Sequence, residues 1–501
     1  MKLLLSVLLL LGLEVEVLPG QSTPKRSTAR LQRAFAFQAL DANRVFCALD
    51  NYGQLCSDIS LDAVNTRGYW PIGSADQYIF LSGLQLAGII PSTAGGGKPT
   101  FPWAGDTIGA FFTDLRGDQS SSQPLTTMYS SRDTADVRLW PDGAVARDAG
   151  IFDVHLLGRP SISDEDIWVR YWDGNPYYVG GRTHPMGIVV DQRAMAFNGP
   201  RGNNDIIYFV FTLYNVSARD AAVYNNPTID PALRADIAAL GARFQDSAEA
   251  RLGVAIPDGG YRIDSLFAGL TMDPDVAEAG TNYANAILPF DLGLAYKSNF
   301  AEPFWDFPLE IFGPPLEKAT GFVGVRVLKS PGPPLRLFTT YTGSASGYPV
   351  PVGVNQLWRY LAGTSSPAAG DNPCAVQGEQ IQKQYCFLSQ FPTDVRFSQS
   401  TGPFSLDPGE ATTLVIAYVF AAPAPAVAPF IGGNLVPGFP ARGDSIAVDT
   451  TRVRDLERAA GWLTQTDANG DGRITEDEVA VLSRSLLDKA RVARAFVTTS
   501  F

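Results

Sequence analysis

The sequence predicts a mainly β protein: one or two antiparallel β-sandwich lobes with an inserted helix, followed by a small α-helical tail. Three observations carry this. Short apolar runs of strand length recur from about residue 43 to residue 421, each bounded by turn clusters such as Asp173-Gly174-Asn175-Pro176, Pro331-Gly332-Pro333-Pro334 and Asp407-Pro408-Gly409. One stretch, 231–252, changes to helical spacing. Residues 449–501 return to helical spacing on both sides of a loop dense in oxygen-bearing side chains.

Taken in order, residues 1–20 read as a Sec-type export signal. Lys2 precedes an apolar run over 3–13, and a small-residue exit lies near Gly20; Glu14 and Glu16 are unusual in such a segment. The run is short for a membrane span. No cysteine stands at the exit, which argues against a lipoprotein. Residues 21–42 are polar and basic at first and read as a flexible lead-in.

The first β lobe is expected over 43–225. Its strongest strand is 206–214, with Ile207, Phe209, Phe211 and Leu213 on one face and Tyr208 and Val210 on the other, so both faces call for cover. Further strands are expected at 77–80, 168–172, 187–190, 322–328 and 414–420. The helix over 231–252 places Leu233, Ile237, Leu240 and Phe244 on one stripe and stops at Gly253. The insertion 226–260 is the natural seam before a second lobe over 261–425, and the Pro/Ala-rich 426–448 reads as a linker.

The tail, 449–501, carries the clearest chemical signal. The loop 467–478 reads DANGDGRITEDE, with Asp467, Asn469, Asp471, Thr475 and Glu478 at its first, third, fifth, ninth and twelfth places. That is the spacing of an EF-hand calcium loop. Ca²⁺ takes about six to eight oxygens at roughly 2.3–2.6 Å. The three early side chains supply one oxygen each, Arg473 its backbone carbonyl, Thr475 an oxygen directly or through water, and Glu478 both carboxylate oxygens. Gly472 permits the sharp turn. An Asp/Asn/Gly-rich turn that matches by chance is the plain alternative, and the filling of every key position favours calcium. Leu456, Ala459, Ala460 and Leu463 precede the loop at helical spacing; Leu486, Ala490, Ala493 and Val497 follow it. No second loop of this kind is present, so Ile474 lacks its usual partner.

Composition bounds the partners. Asp and Glu outnumber Lys and Arg by 51 to 39, a formal charge of −12, which argues against nucleic acid. The four cysteines fall in two local pairs, Cys47/Cys56 and Cys374/Cys386, which favour disulfides in an exported chain over buried thiols. Cys47 and Cys56 face each other if Asn51 and Tyr52 form a hairpin tip. Zinc is disfavoured, because no CxxC occurs and His155 and His184 are the only histidines.

The chain resembles a group of large, exported, largely uncharacterised bacterial β-sandwich surface proteins. The resemblance rests on ordered landmarks over most of 43–501. They are Gly68-Tyr69-Trp70-Pro71 with Ser82-Gly83-Leu84, Ser163-Asp164-Glu165-Asp166 with His184-Pro185-Met186-Gly187, and Asn204-Asp205-Ile206-Ile207-Tyr208-Phe209. Met272-Asp273-Pro274-Asp275 and Thr401-Gly402-Pro403-Phe404 before Pro408-Gly409-Glu410 complete the set. Some members carry immunoglobulin- or fibronectin-like modules or a C-terminal sorting domain; a trailing sorting or repeat domain is not expected in this sequence, which departs from the group there. The resemblance implies an extracellular or cell-surface setting and supplies no catalytic residue.

Other constellations are weaker. Asp273 and Asp275, with Asp291 downstream, suggest a second calcium site, but the spacing lacks a full ligand set and a polar loop is the preferred reading. Asp164, Glu165 and Asp166 beside Trp168, Tyr171 and Trp172 suggest a sugar-cleaving carboxylate pair near aromatic platforms; an exposed loop leading into a strand is preferred. His155 and His184 read as structural. No nucleophile elbow, HExxH or phosphate-cradling loop occurs. The expectation is therefore an exported calcium-binding structural or surface-interaction protein and not an enzyme. Its expected partners are calcium and other extracellular proteins, glycans or copies of itself. A carbohydrate-binding or glycoside-active protein is the first alternative, and a subunit of an extracellular multimer or filament the second.

Overall fold

The structure, a computed structural model, describes most residues from 35 to 421 and the C-terminal helix at 486–499. Residues 1–34, 58–66, 91–106, 113–121, 137–162, 175–184, 298–321, 342–353, 364–393 and 422–485, with a few shorter stretches, lie outside the description. The signal segment, the linker, the loop 467–478, Cys374, Cys386, His155 and His184 all fall there.

In chain order the strands are β1 (Phe37–Leu40), β2 (Phe46–Asp50), β3 (Gln54–Leu55), β4 (Gly68–Tyr69), β5 (Gln77–Ile79), β6 (Leu81–Ile90), β7 (Thr107–Phe112), β8 (Gln123–Pro124), β9 (Tyr129–Ser130) and β10 (Glu165–Trp172). They continue with β11 (Ile188–Ala196), β12 (Ile206–Asn215), β13 (Ile263–Asp273), β14 (Asn282–Ile287), β15 (Leu292–Lys297), β16 (Phe322–Lys329), β17 (Arg336–Tyr341), β18 (Val395–Leu406) and β19 (Ala411–Ala421). Among the described residues the α-helices are α1 (Arg234–Leu252), α2 (Val354–Leu361) and α3 (Leu486–Thr499).

Two antiparallel sheets form. The first runs β17-β18-β13-β6-β3-β2-β4-β5, with β1 on β2 and β7 on β6. The second runs β14-β15-β16-β19-β12-β11-β10-β8, with β9 on β10. One apolar core joins them: Leu49, Leu84, Leu86 and Leu270 of the first sheet pack with Val169, Phe209, Phe211 and Ile416 of the second. The Tyr78 and Phe420 rings meet edge-on at 5.8 Å, and the Tyr418 hydroxyl lies 2.9 Å from Ser82 Oγ across the layers. This is a β-sandwich arrangement.

The seam expected at 226–260 does not divide the strands into two lobes. Each sheet takes strands from both sides of it, with β13 beside β6 in the first and β19 beside β12 in the second. Local hydrophobic pattern marks strands well, but pairing is decided by which faces must be buried together. The lead-in 21–42 also needs correction. Residues 37–40 form β1, in register with β2 from Phe37↔Asp50 to Leu40↔Cys47, and Leu40 is buried.

The helix α1 agrees with its pattern. Leu233, Ile237 and Phe244 enter the core, and Gly253 closes the helix in the left-handed conformation with φ of 65°. Strands β6, β13 and β18 carry weaker strand signals, because β6 contains Gly83 and Gly88 and β18 contains Pro403. At Gly88 an added Cβ would lie 2.8 Å from Ile263 Cγ2, so this glycine marks a close approach between strands. Helix α2 covers the outer face of the first sheet with Leu357 and Leu361 against Ala87 and Phe267, and Trp358 Nε1 donates to the Ser265 carbonyl at 3.0 Å. Among the described residues no helix is long and apolar enough to cross a membrane.

The hairpin β2–β3 turns at Asn51 and Tyr52, and Cys47 and Cys56 form a disulfide with Cα atoms 4.3 Å apart. The ladder pairs Leu49 with Leu55, which would bring Ser57 opposite Cys47. The bridge forms instead from Cys56, whose φ is 47°. Both sulfurs belong to the core. Closing a loop of this length contributes about 2.5 kcal/mol in the chain-entropy account. Replacing both cysteines by alanine is expected to lower unfolding stability by about that amount, read as a lower urea midpoint with an unchanged far-ultraviolet circular dichroism spectrum.

Candidate functional site

Two places in the described structure bear on function: the seat of the C-terminal helix, and a carboxylate cluster where β13 ends and β18 begins. The first begins with strand β12. Its alternation sends Ile207, Phe209, Phe211 and Leu213 into the core. Tyr208 faces the other way, as do Val415, Ala417 and Val419 of the neighbouring β19 by the same alternation; all four are buried. Helix α3 provides cover on this outer side. Its Leu486, Ala490, Ala493 and Val497 form the buried stripe, and the Phe496 ring sits 4.7 Å from Phe197 and 5.5 Å from Tyr208.

Polar contacts fix the position of this helix. Lys489 Nζ donates to Asp205 Oδ2 at 2.7 Å and to the Phe420 carbonyl at 2.8 Å, and lies 4.8 Å from the centre of the Trp70 ring. Trp70 Nε1 donates to Asp205 Oδ1 at 2.6 Å, and Arg44 Nε stands 3.3 Å from the same oxygen. Lysine and carboxylate are both almost fully buried, at 2% and 3% side-chain exposure. Arg326 donates to the Ala490 carbonyl and Arg494 to the Leu328 carbonyl, so contacts run in both directions between helix and sheet.

The second place is built by chain geometry. Pro274 has no N–H to donate, so the β13 ladder stops at Asp273. There the Asp273 carbonyl accepts from Phe80 N at 2.9 Å, and the residue lies between β6 and β18. Asp275 follows two residues later, and Asp394 immediately precedes β18. One carboxylate oxygen from each of the three lies within 4.8 Å of the others. Asp273 Oδ2 accepts from Arg396 Nε at 2.8 Å, and Asp275 Oδ2 accepts from Gln77 Nε2 at 3.0 Å. Gln77 in turn accepts from Arg67. The other oxygen of Asp273, Oδ1, is buried with no hydrogen-bond partner.

Electrostatics reflect this crowding. Burial pushes the Asp273 carboxyl up to about 7; Arg396 opposes the shift, and the neighbouring Asp275 and Asp394 add to it. Burial likewise pushes Asp275 up to about 6, with Asp394 raising it further and Gln77, Arg67 and Arg396 acting against. Asp291 does not join the cluster. It stands at the head of β15 in the other sheet, with φ of 49°, and its carbonyl accepts from Val327 N and Gln399 Nε2. The sequence pattern joined Asp273 to Asp275 by proximity, but Asp394 enters only through the β13–β18 pairing.

The acidic and aromatic stretch at 164–172 has structural work throughout. Glu165 Oε2 accepts from Asp41 N and Ala42 N at 2.8 and 3.1 Å, Asp166 pairs with Arg193, and Asp164 Oδ2 accepts from Asn198 N at 2.6 Å. Trp168, Tyr171 and Trp172 are buried, and Tyr171 donates to Gln192 Oε1 at 2.9 Å. Buried rings offer no platform to a sugar, so this stretch does not supply the carbohydrate site weighed from sequence. The calcium-loop residues Asp467, Asn469, Asp471, Arg473, Thr475 and Glu478 lie outside the described residues.

The chain matches no protein-family model and no curated protein.

The buried ion pair gives a direct test of the tail's seat. Lys489→Met leaves the Asp205 carboxylate buried with Trp70 and the half-exposed Arg44 as its remaining partners. The expected loss is roughly 3 kcal/mol, the lower end for a broken buried pair. Adding Asp205→Asn to the same chain is expected to restore much of it, as read from urea unfolding of the three proteins.

Proposed function

We propose that this is an exported, calcium-binding structural or surface-interaction protein: a β-sandwich whose C-terminal tail is ordered by one Ca²⁺ in the loop 467–478. Asp467, Asn469, Asp471, Thr475 and Glu478 are the side-chain ligands, and Arg473 supplies its carbonyl. The observation that carries the reading is the seat of α3. This helix starts eight residues beyond Glu478 and is held by a buried lysine, two arginine contacts and a four-residue apolar stripe. A loop that binds an ion so close to a clamped helix transmits its order to the tail and from there to the sandwich. The likeness to large exported bacterial β-sandwich surface proteins supports the same setting, with other extracellular proteins, glycans or further copies as partners.

Calcium binding to the folded state alone stabilises it by about 2.7 kcal/mol when the free ion stands at a hundred times Kd. Titration calorimetry is expected to give a heat of binding that shrinks in the Asp467→Ala/Glu478→Ala variant. Calcium is expected to slow protease cleavage within 445–501 of the wild type and not of that variant. Digestion indifferent to calcium in both would remove the structural role of the ion.

A further inference from the structure

We infer that Asp273, Asp275 and Asp394 form a second divalent-cation site, set in the rigid end of the first sheet and independent of the loop 467–478. The geometry comes first. Asp273 is fixed between two paired strands, Asp275 is positioned by Gln77, and Asp394 leads directly into β18. Carboxylates from two distant points of the chain, Asp273 with Asp275 and Asp394, thus converge on one place.

The second observation concerns one atom. Asp273 is 3% exposed, Arg396 serves its Oδ2, and its Oδ1 is buried with no protein partner. Leaving a buried carboxylate oxygen unsatisfied is costly. A cation held among the three carboxylates meets that oxygen's need and also offsets their mutual repulsion. Arg396 and Arg67 offset part of the carboxylate charge, and a cation held among the three adds to that compensation.

Donor chemistry selects the ion. All three ligands are oxygens, with no histidine or cysteine among them, which suits a hard cation and not zinc or copper. Oxygens on a calcium shell of about 2.4 Å radius stand at most about 4.8 Å apart, and the cluster lies within that span. Asp275 and Asp394 are half-buried, so water completes the coordination and the ion has a way in. A hard divalent cation is the assignment, and calcium is the probe that tests it.

The test uses the full-length chain carrying Asp467→Ala/Glu478→Ala, so that the loop contributes nothing. Titration calorimetry with calcium chloride is expected to retain one binding event in this protein. Asp275→Asn and Asp394→Asn, isosteric changes at half-buried positions, are each expected to weaken it about tenfold or more. Asp291→Asn is expected to leave it unchanged. Circular dichroism and melting without metal verify that each variant is folded. Absence of calcium heat in the loop-disabled chain overturns the proposal, as does heat that survives both cluster substitutions together. Failure of the loop reading gives a different result, namely wild-type and loop-disabled chains with equal heats.

Discussion

A strand that is apolar on both faces must be covered twice, and β12 imposes that requirement on the second sheet. Its odd-numbered side chains, Ile207 to Leu213, face the other sheet and build the shared core. Its even-numbered face, with Tyr208, is continuous with Val415, Ala417 and Val419 of β19 and would expose a broad apolar surface without α3. Two-sided burial therefore dictates layering. A sandwich satisfies the inner faces, α2 lies on the outer face of one sheet, and α3 lies on that of the other. The C-terminal helix belongs to the protein's core architecture, and whatever is attached just before it is tethered to the body.

Hydrophobic cover alone would let such a helix slide or rotate. The buried Lys489–Asp205 pair removes that freedom, because only one placement brings the ammonium to the carboxylate, the Phe420 carbonyl and the Trp70 ring together. Buried ion pairs seldom add much net stability, and their better-attested role is to specify register. The same economy recurs elsewhere in the sheets. Arg170 and Asp191, directly opposite on β10 and β11, bond at 2.8 Å between Nη2 and Oδ2, while Tyr214 adds a contact to Asp191 at 3.2 Å. These interactions discriminate between alternative pairings of strands that share the same apolar pattern.

Much of this was legible in the sequence and some was not, for identifiable reasons. The strands over 206–214, 322–328 and 414–420 stood out because apolar, β-branched and aromatic residues dominate them, and the helical stripe from Leu233 to Phe244 is equally clear. Strand β18 was hidden by Pro403 and β6 by its glycines, of which Gly88 lets a neighbouring strand approach closely. The division into two lobes misread a helix between strands as a boundary between domains, since chain order does not reveal that β19 inserts between β12 and β16. The carboxylate cluster was half visible. Asp273 and Asp275 are neighbours in sequence, whereas Asp394 needs the third dimension, and Asp291 was recruited by a nearness along the chain that the sheets do not preserve. Trp168 and Trp172 looked like a binding surface because strand alternation alone cannot tell an outer face in water from one that is covered.

The placement of β19 has a consequence for how the molecule is made. Among the described residues it is the last strand of the second sheet along the chain, and it sits in the middle of that sheet, hydrogen-bonded to β12 on one side and β16 on the other. Until it emerges during synthesis, two apolar strand edges wait open, and the pairing that joins them spans more than two hundred residues, from Ile206↔Val419. Such a polypeptide is assembled like an arch with a late keystone. Chains interrupted before this strand have exposed edges to offer one another, the condition under which partly folded chains associate.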